Sequence, residues 1–232
     1  MFDSKVINAV RYPIYFILLI WAIHLFQFLT PFDFSYLGTY PRTSFGLRGV
    51  VFSPLLHSDF SHLINNSIPF FVLSSLIYFF FPRVAWKSIL MIYFLTGLAV
   101  WGFGRSVFHI GASGVVYGLV AFLCWTGIFR RNLKSIVISL IVGFYYSGMF
   151  LGILPNQEGI SWESHLLGGL VGIFVAYWFR YQIETDEKPK RYSWEDEPEE
   201  SSFFLNRDAF DKTKEERRRE DDNDGNWFTT IS

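Results

Sequence analysis

Six mainly apolar stretches punctuate the chain, at residues 12–29, 60–81, 86–103, 113–129, 135–154 and 162–181. Each approaches the roughly 20 residues that a helix needs to cross the hydrocarbon core of a bilayer. The pattern predicts an all-α membrane protein built as a bundle of six transmembrane helices. The second stretch is the most polar, because His62, Asn65, Asn66, Ser67 and Pro69 crowd its first two turns. An even number of spans puts both termini on one side. Residues 30–59, between the first two stretches, mix apolar residues with Pro31, Pro41 and Pro54. That is unlike a flexible linker, and the segment is predicted to be a long external loop, partly structured and partly embedded.

Basic residues concentrate in cytoplasmic loops. Lys5, Arg11, Arg83, Lys87, Arg130, Arg131, Lys134 and Arg180 fall on the face that carries the termini, and Arg42, Arg48 and Arg105 on the other. Both termini are therefore expected in the cytoplasm, and spans two, four and six begin at the exterior. Arg130, Arg131 and Lys134 read as orientation charges, with contact to anionic lipid as a second role. Charge also divides the chain lengthwise. Residues 1–181 hold 5 acidic and 11 basic side chains and the last 51 residues 16 and 9, so a body of about +6 joins a tail of about −7. The expected organisation is a cytoplasmic N-terminus (1–11), a six-helix membrane domain (12–181) and an acidic, disordered cytoplasmic tail (182–232) with a short helix near 212–220. The split leaves no case for nucleic-acid binding.

The single cysteine, Cys124, has no partner for an intramolecular disulfide and reads as a packing residue. No metal-type Cys/His spacing occurs, so neither metal nor cofactor is expected. The first apolar run is too long for a cleaved signal peptide and lacks a small-residue cleavage site.

Polar groups facing a bilayer interior are costly, and they are usually paired, hydrated or functional. Here they gather at one depth. Ser113 opens span four, His165 lies in the first turn of span six, and His62 and Asn66 lie in the first turns of span two. Small residues let membrane helices approach closely, and span four carries Gly114-x-x-x-Gly118 while span six carries Gly168-x-x-x-Gly172. His165, Gly168 and Gly172 share one helix face, and Tyr117 shares a face with Ser113. Packing the two glycine grooves together would bring Ser113 to His165.

A serine hydroxyl needs a base to become a nucleophile, and histidine is the usual one because its pKa lies near neutrality. Acyl transfer also needs donors for the developing oxyanion. His62 and Asn66, four residues apart, offer two from one face, and the Ser113 backbone N–H offers a third. Glu163 points away from His165 along the helix, and Asp59 is placed to cap span two, so a Ser–His dyad fits better than a triad. Gly111-Ala112-Ser113-Gly114 is not the G-x-S-x-G elbow of soluble hydrolases. His24 reads as an interhelical hydrogen-bonding residue, His109 as a surface loop residue, and Asn65 as bonded to a neighbouring helix or to backbone.

These motifs resemble those of the rhomboid family of intramembrane serine proteases, over residues 12–181. The family opens its fourth core helix with Gly-x-Ser-Gly, here Gly111-Ala112-Ser113-Gly114. Its sixth helix carries a histidine followed by glycines three and seven positions on, here His165, Gly168 and Gly172. His62 and Asn66 match a His-x-x-x-Asn in the second helix, and His57 matches a further histidine upstream. The resemblance implies Ser113 as nucleophile, His165 as general base, oxyanion stabilisation by His62, Asn66 and the Ser113 amide, and stacking of Tyr117 on the catalytic imidazole. It implies a site open to the exterior, substrates that enter sideways from the lipid bilayer as transmembrane helices, and no cofactor. One departure is Leu47-Arg48, where many relatives have Trp-Arg. Six spans without a seventh look like the basic prokaryotic form, which implies a bacterial inner membrane.

Two other readings compete: a catalytically silent relative that captures transmembrane clients, and a small transporter or channel. Retention of both Ser113 and His165 weighs against the first, and the scarcity of carboxylates in the spans against the second. The physiological substrate, the oligomeric state and the role of the tail are not encoded in any recognisable motif.

Overall fold

The structure, a computed structural model, describes residues 4–155, 161–182, 184 and 211–224. Among these, all regular elements are helical: α1 (Ser4–Leu29), α2 (Gly49–Phe52), α3 (Phe60–Phe80), α4 (Ala85–Phe103), α5 (Ser113–Arg130), α6 (Leu133–Tyr145), α7 (Trp162–Trp178) and α8 (Lys214–Asp224). The one β-type contact among the described residues is an isolated antiparallel bridge between Thr39 and His109.

Helices occupy all six apolar stretches, but among the described residues four, α1, α3, α4 and α5, are long and apolar enough to cross a bilayer, or five if a bent pair is counted as one span. The fifth span is not one helix: α6 ends at Tyr145 and a 3-10 segment, Ser147–Ile153, continues at a 62° bend. α7 has 17 residues, about 25 Å at 1.5 Å per residue, the lower limit for crossing. At the N-terminus, α1 begins at Ser4, so most of the expected 1–11 segment is continuous with the first span. Large apolar side chains stand exposed along the outer helices, among them Leu18, Phe28, Leu140, Phe144, Leu170, Phe174 and Trp178. Water would penalise such a surface and lipid does not.

α5 is the hub. Half of its apolar stretch is buried, against 17% for α1 at the edge. α5 touches α3, α4, α6 and α7, whereas α1 packs mainly on α3. Val115, Val116, Leu119, Phe122 and Leu123 of α5 meet Phe70, Leu73 and Ile77 of α3, Ile92 of α4, Ile138 and Val142 of α6, and Val175 and Ala176 of α7 in one core. The α5–α7 approach is backbone on backbone. A Cβ at Gly168 would lie 2.0 Å from the Gly114 carbonyl oxygen, and one at Gly172 would lie 2.1 Å from that of Gly118.

The charged ends separate as expected. At one end Arg130 donates to the Phe179 carbonyl, Lys134 to the Phe80 carbonyl, and the Arg83 amide to Glu184. At the other end Arg42 donates to the Gly104 carbonyl and the Ser106 hydroxyl, and Arg48 to the Tyr36 carbonyl. The loop between α1 and α3 is a compact chain of 3-10 turns and the short α2. Trp101 donates to the Thr43 carbonyl at 2.8 Å, and the Tyr93 hydroxyl donates to the Val51 carbonyl. Arg48 also lies over the Tyr36 and Phe45 rings, so it anchors the loop without a tryptophan beside it.

The last 44 residues form a separate unit. Within it α8 begins at a capping box, in which the Thr213 amide donates to Glu216 at 2.9 Å and the Glu216 amide to the Thr213 hydroxyl. Of the tail expected to be disordered, Glu184 is instead buried and accepts from the Arg83 amide; residues 183, 185–210 and 225–232 lie outside the described residues.

The glycine contact yields a paired prediction. Gly168→Val should cost about 1–3 kcal/mol by overpacking and lower the unfolding temperature in detergent. Gly169→Ala, one residue on with no atom within 4 Å of its added carbon, should be neutral or slightly stabilising. Thermal unfolding of both variants tests this, and an unchanged midpoint for Gly168→Val would contradict the packing described.

Candidate active site

The sequence-selected residues meet at the N-terminal ends of α3, α5 and α7. Ser113 is the first residue of α5 and is partly exposed, preceded by the fully buried Ala112. The first amides of a helix have no partner within it, so the Ser113 N–H is available at the positive end of the helix dipole. Gly111 adopts φ +103 and is required twice over. A side chain is rarely tolerated at that φ, and a Cβ there would lie 2.6 Å from His62 Nε2 and 3.8 Å from Asn66 Nδ2. The chain entering Ser113 thus runs directly against His62 and Asn66.

His165, in the first turn of α7, is buried and held on two sides. Its ring stacks on Tyr117 with centroids 4.1 Å apart and planes 7° apart. Its Nδ1 lies 2.8 Å from the Gly152 carbonyl oxygen. A carbonyl only accepts, so Nδ1 carries the proton and, in the neutral ring, Nε2 keeps the lone pair. Tyr117 is four residues after Ser113 on α5, so the stacked imidazole stands over the α5 face that Ser113 shares. Tyr117 is itself fixed by donating to the Met149 carbonyl at 2.7 Å. Ser113 Oγ makes no hydrogen bond among the described residues. Catalytic contacts in a substrate-free enzyme are often long and close only with substrate.

Two acceptors here, the Met149 and Gly152 carbonyls, come from the bent continuation of α6. Neither is legible in the sequence, where only a carboxylate could be sought behind the histidine, because a backbone carbonyl carries no residue signature. The one hint was the glycine itself, since a Cβ at position 152 would lie 2.1 Å from the Tyr117 hydroxyl.

His62 is oriented from the other direction. Asp59 caps α3, accepting from the His62 amide at 2.9 Å. That bond and the Ser58 hydroxyl hold the Asp59 carboxyl below the usual range. Ser58 gives its one hydrogen to Asp59 at 2.7 Å and so accepts from His62 Nδ1 at 3.1 Å. Nε2, facing Gly111, then becomes a donor only when the ring takes a second proton or Ser58 turns. Asn66 has no such dependence. One Nδ2 hydrogen goes to the His62 carbonyl at 2.9 Å, and the second is available on the Gly111 side.

Other histidines depart from expectation. His109, read as a surface residue, is 3% exposed. Its backbone pairs with Thr39 and its ring contacts Ser161 and the Arg105 carbonyl. Burial holds it below its ordinary value, opposed by the Arg105 carbonyl bond and Glu163. His24, read as an interhelical hydrogen-bonding residue, instead packs edge-on to Phe60 at 4.7 Å. Asn65 bonds within its own helix, to Ser61. Cys124 is a free, half-buried thiol near the Ser139 carbonyl. His57 lies in the loop before α3, fully buried, its ring 5.1 Å from that of His62. Burial, with His62 and His24 nearby, lowers its value to about 3. Among the described residues no group of His, Cys, Asp and Glu is arranged to hold a metal.

The rhomboid domain pattern matches residues 44–182, from the loop before α2 to the end of α7. The chain belongs to the rhomboid family. Family membership makes it a multi-pass membrane protein of intramembrane-protease type. An uncharacterized protein of Mycobacterium tuberculosis is 37% identical over 172 residues, covering 70% of this chain and 71% of its own length. One of Mycobacterium leprae is 34% identical over 172 residues, 70% and 68% of the two chains. A protein of Acanthamoeba polyphaga mimivirus named as a rhomboid protein is 27% identical over 176 residues, 73% of this rhomboid and 91% of its own length.

His57 gives this rhomboid a definite pH response. Its folded value of about 3 lies below the ordinary 6.5, so on acidification the unfolded chain takes up a proton before the folded one does. Its contribution is therefore present above pH 6.5 and lost progressively as pH falls toward 3; His109 acts with the same sign. Unfolding temperature measured across this window should fall with pH in the wild type and fall less steeply in His57→Leu. Parallel profiles would contradict the assignment.

Proposed function

We propose that this rhomboid is an intramembrane serine endopeptidase that hydrolyses peptide bonds in or next to transmembrane segments of membrane-protein substrates. The observation that carries the reading is the His165 imidazole. Its Nδ1–H is committed to the Gly152 carbonyl and its face to Tyr117, which leaves Nε2 as the base over the α5 face where Ser113 stands.

The reaction follows from those groups. Nε2 of His165 takes the Ser113 hydroxyl proton as Oγ attacks the substrate carbonyl carbon. The resulting oxyanion is met by the Ser113 amide and Asn66, and by His62 when its Nε2 carries a proton. The imidazolium returns the proton to the departing amine and the C–N bond breaks, leaving an acyl-serine. Water, deprotonated by the same Nε2, attacks the ester; the new acid leaves and Ser113 regains its proton. Gly111 and Gly114 support this by admitting His62 and the α7 backbone, Gly168 and Gly172 by close packing, and His57 by backing His62. No cofactor is needed.

In this reading the rhomboid sits in a cell membrane, as in a bacterial inner membrane, with both termini cytoplasmic and the site opening to the exterior. The basic end formed by Arg83, Arg130 and Lys134 supports that orientation. Residues 12–181 are the protease domain and residues 182–232 a cytoplasmic tail. The partners are transmembrane substrates and the lipid bilayer.

Purified protein should cut a model single-span substrate, and Ser113→Ala and His165→Ala should reduce turnover below detection. Asn66→Ala should lower kcat by about 10²–10³ with little change in KM, because an oxyanion donor acts on the transition state. Cleavage that survives Ser113→Ala would overturn the mechanism. Wild type that binds the span without cutting would favour client capture instead.

A further inference from the structure

A second polar cluster lies beside the proposed dyad and takes no part in its chemistry. Ser161 occupies the N-cap position of α7, where a serine normally turns its hydroxyl onto the first free amides. It makes no such cap. Its Oγ points instead across to the loop before Ser113, 2.6 Å from His109 Nδ1, and also meets Ser164 Oγ at 2.7 Å. The proton order in this chain is determined. The Arg105 carbonyl can only accept, so His109 Nε2 donates to it at 3.0 Å. Nδ1 of the neutral ring then accepts from the Ser161 hydroxyl, which in turn accepts from Ser164. His109 is 3% exposed, and Ser164 and Glu163 are nearly as buried. Beside this chain Arg105 pairs with Glu163 at 3.0 Å.

Both strands of this clasp lead to the reacting groups. Arg105 and His109 lie on the segment that runs into Gly111 and Ser113. That segment is fixed from behind by the Thr39–His109 backbone bridge and by the Gly111 amide donating to the Ser53 carbonyl at 2.8 Å. Ser161, Glu163 and Ser164 lead into His165, whose amide and that of Ser164 both turn on the Ser161 carbonyl. The glycine contacts set how near α5 and α7 come: Gly114 meets Ser164 in the first turn of α7, and the contacts of Gly168 and Gly172 lie deeper; none of them fixes the segment that carries Arg105 and His109. A partly buried chain of this kind, with each hydroxyl and ring nitrogen committed to a partner, is a costly way to join two segments unless their relative position matters.

We propose that His109, Ser161 and the Arg105–Glu163 pair form a clasp that sets the position of His165 relative to Ser113, making His109 and Ser161 positioning residues for the reaction. The proposal rests on the proteolytic reading above. Loss of the clasp lets the first turn of α7 shift, and a misplacement near 1 Å between nucleophile and base costs about 10²-fold.

The test uses the full-length protein in detergent. It measures the rate at which a fluorophosphonate labels Ser113, together with kcat, KM and unfolding temperature. His109→Ala and Ser161→Ala should each slow labelling and lower kcat by roughly 10–100-fold, with KM unchanged within about twofold. The double variant should be no worse than either single one, because the two act as a unit. His109→Gln, which keeps a donor and an acceptor, should recover part of the rate. Ser161→Ala removes one hydroxyl only and guards against a folding defect in His109→Ala. The charge swap Arg105→Glu with Glu163→Arg should restore rate lost in either single swap. Unchanged labelling in the variants, or losses that follow the unfolding temperature alone, would overturn the clasp. Absence of Ser113 labelling in the wild type would overturn the proteolytic reading and the clasp with it.

Discussion

The contact on which the rest depends is the backbone approach of α5 and α7. Gly168 and Gly172 sit against the carbonyls of Gly114 and Gly118 at separations that exclude even a methyl group. In a bilayer no hydrophobic force drives helices together, so close backbone packing has to supply the association. That approach lets an imidazole on one helix lie flat on a tyrosine of the other. Were α7 displaced outward by one side chain, the His165–Tyr117 stack would open and the Gly152 carbonyl would lose its donor.

Around this axis each neighbour supplies one element of order. The α3 end brings His62 and Asn66 against Gly111. The loop between α1 and α3 backs the entry to Ser113 through Thr39 and Ser53. The bend after α6 turns two carbonyls toward the site, where an unbroken helix would have spent them on its own amides. Among the described residues the imidazole is oriented by a carbonyl and an aromatic ring rather than by a carboxylate, and a second buried charge in a membrane protein would be expensive.

The sequence made much of this legible, for physical reasons. Span length and the basic loops follow from bilayer thickness and charge. Asp59 announced itself as a cap, and the paired Gly-x-x-x-Gly motifs announced the helix contact. Ser113 and His165 stood out because polar groups are rare in such spans. What stayed hidden depends on tertiary partners. The Gly152 and Met149 carbonyls belong to the backbone and leave no trace in residue type. The break at Tyr146 falls in an apolar run that reads as one continuous helix, although Ser147 and Gly148 follow it directly. His109 looked like a surface residue because its partners, Thr39 and Ser161, lie 70 and 52 positions away in the chain. His24 had a plausible polar role on paper and found an aromatic edge instead.

One nitrogen decides the chemistry: His165 Nε2 must be the unprotonated one. Nitrogen-15 NMR of histidine-labelled protein in detergent, assigned by comparison with His165→Gln, reads this tautomer directly. At neutral pH the account predicts a protonated Nδ1 and a lone-pair Nε2 for His165. A protonated Nε2 with a bare Nδ1 would leave the Gly152 carbonyl without its donor and Ser113 without its base, and would contradict the account at its centre.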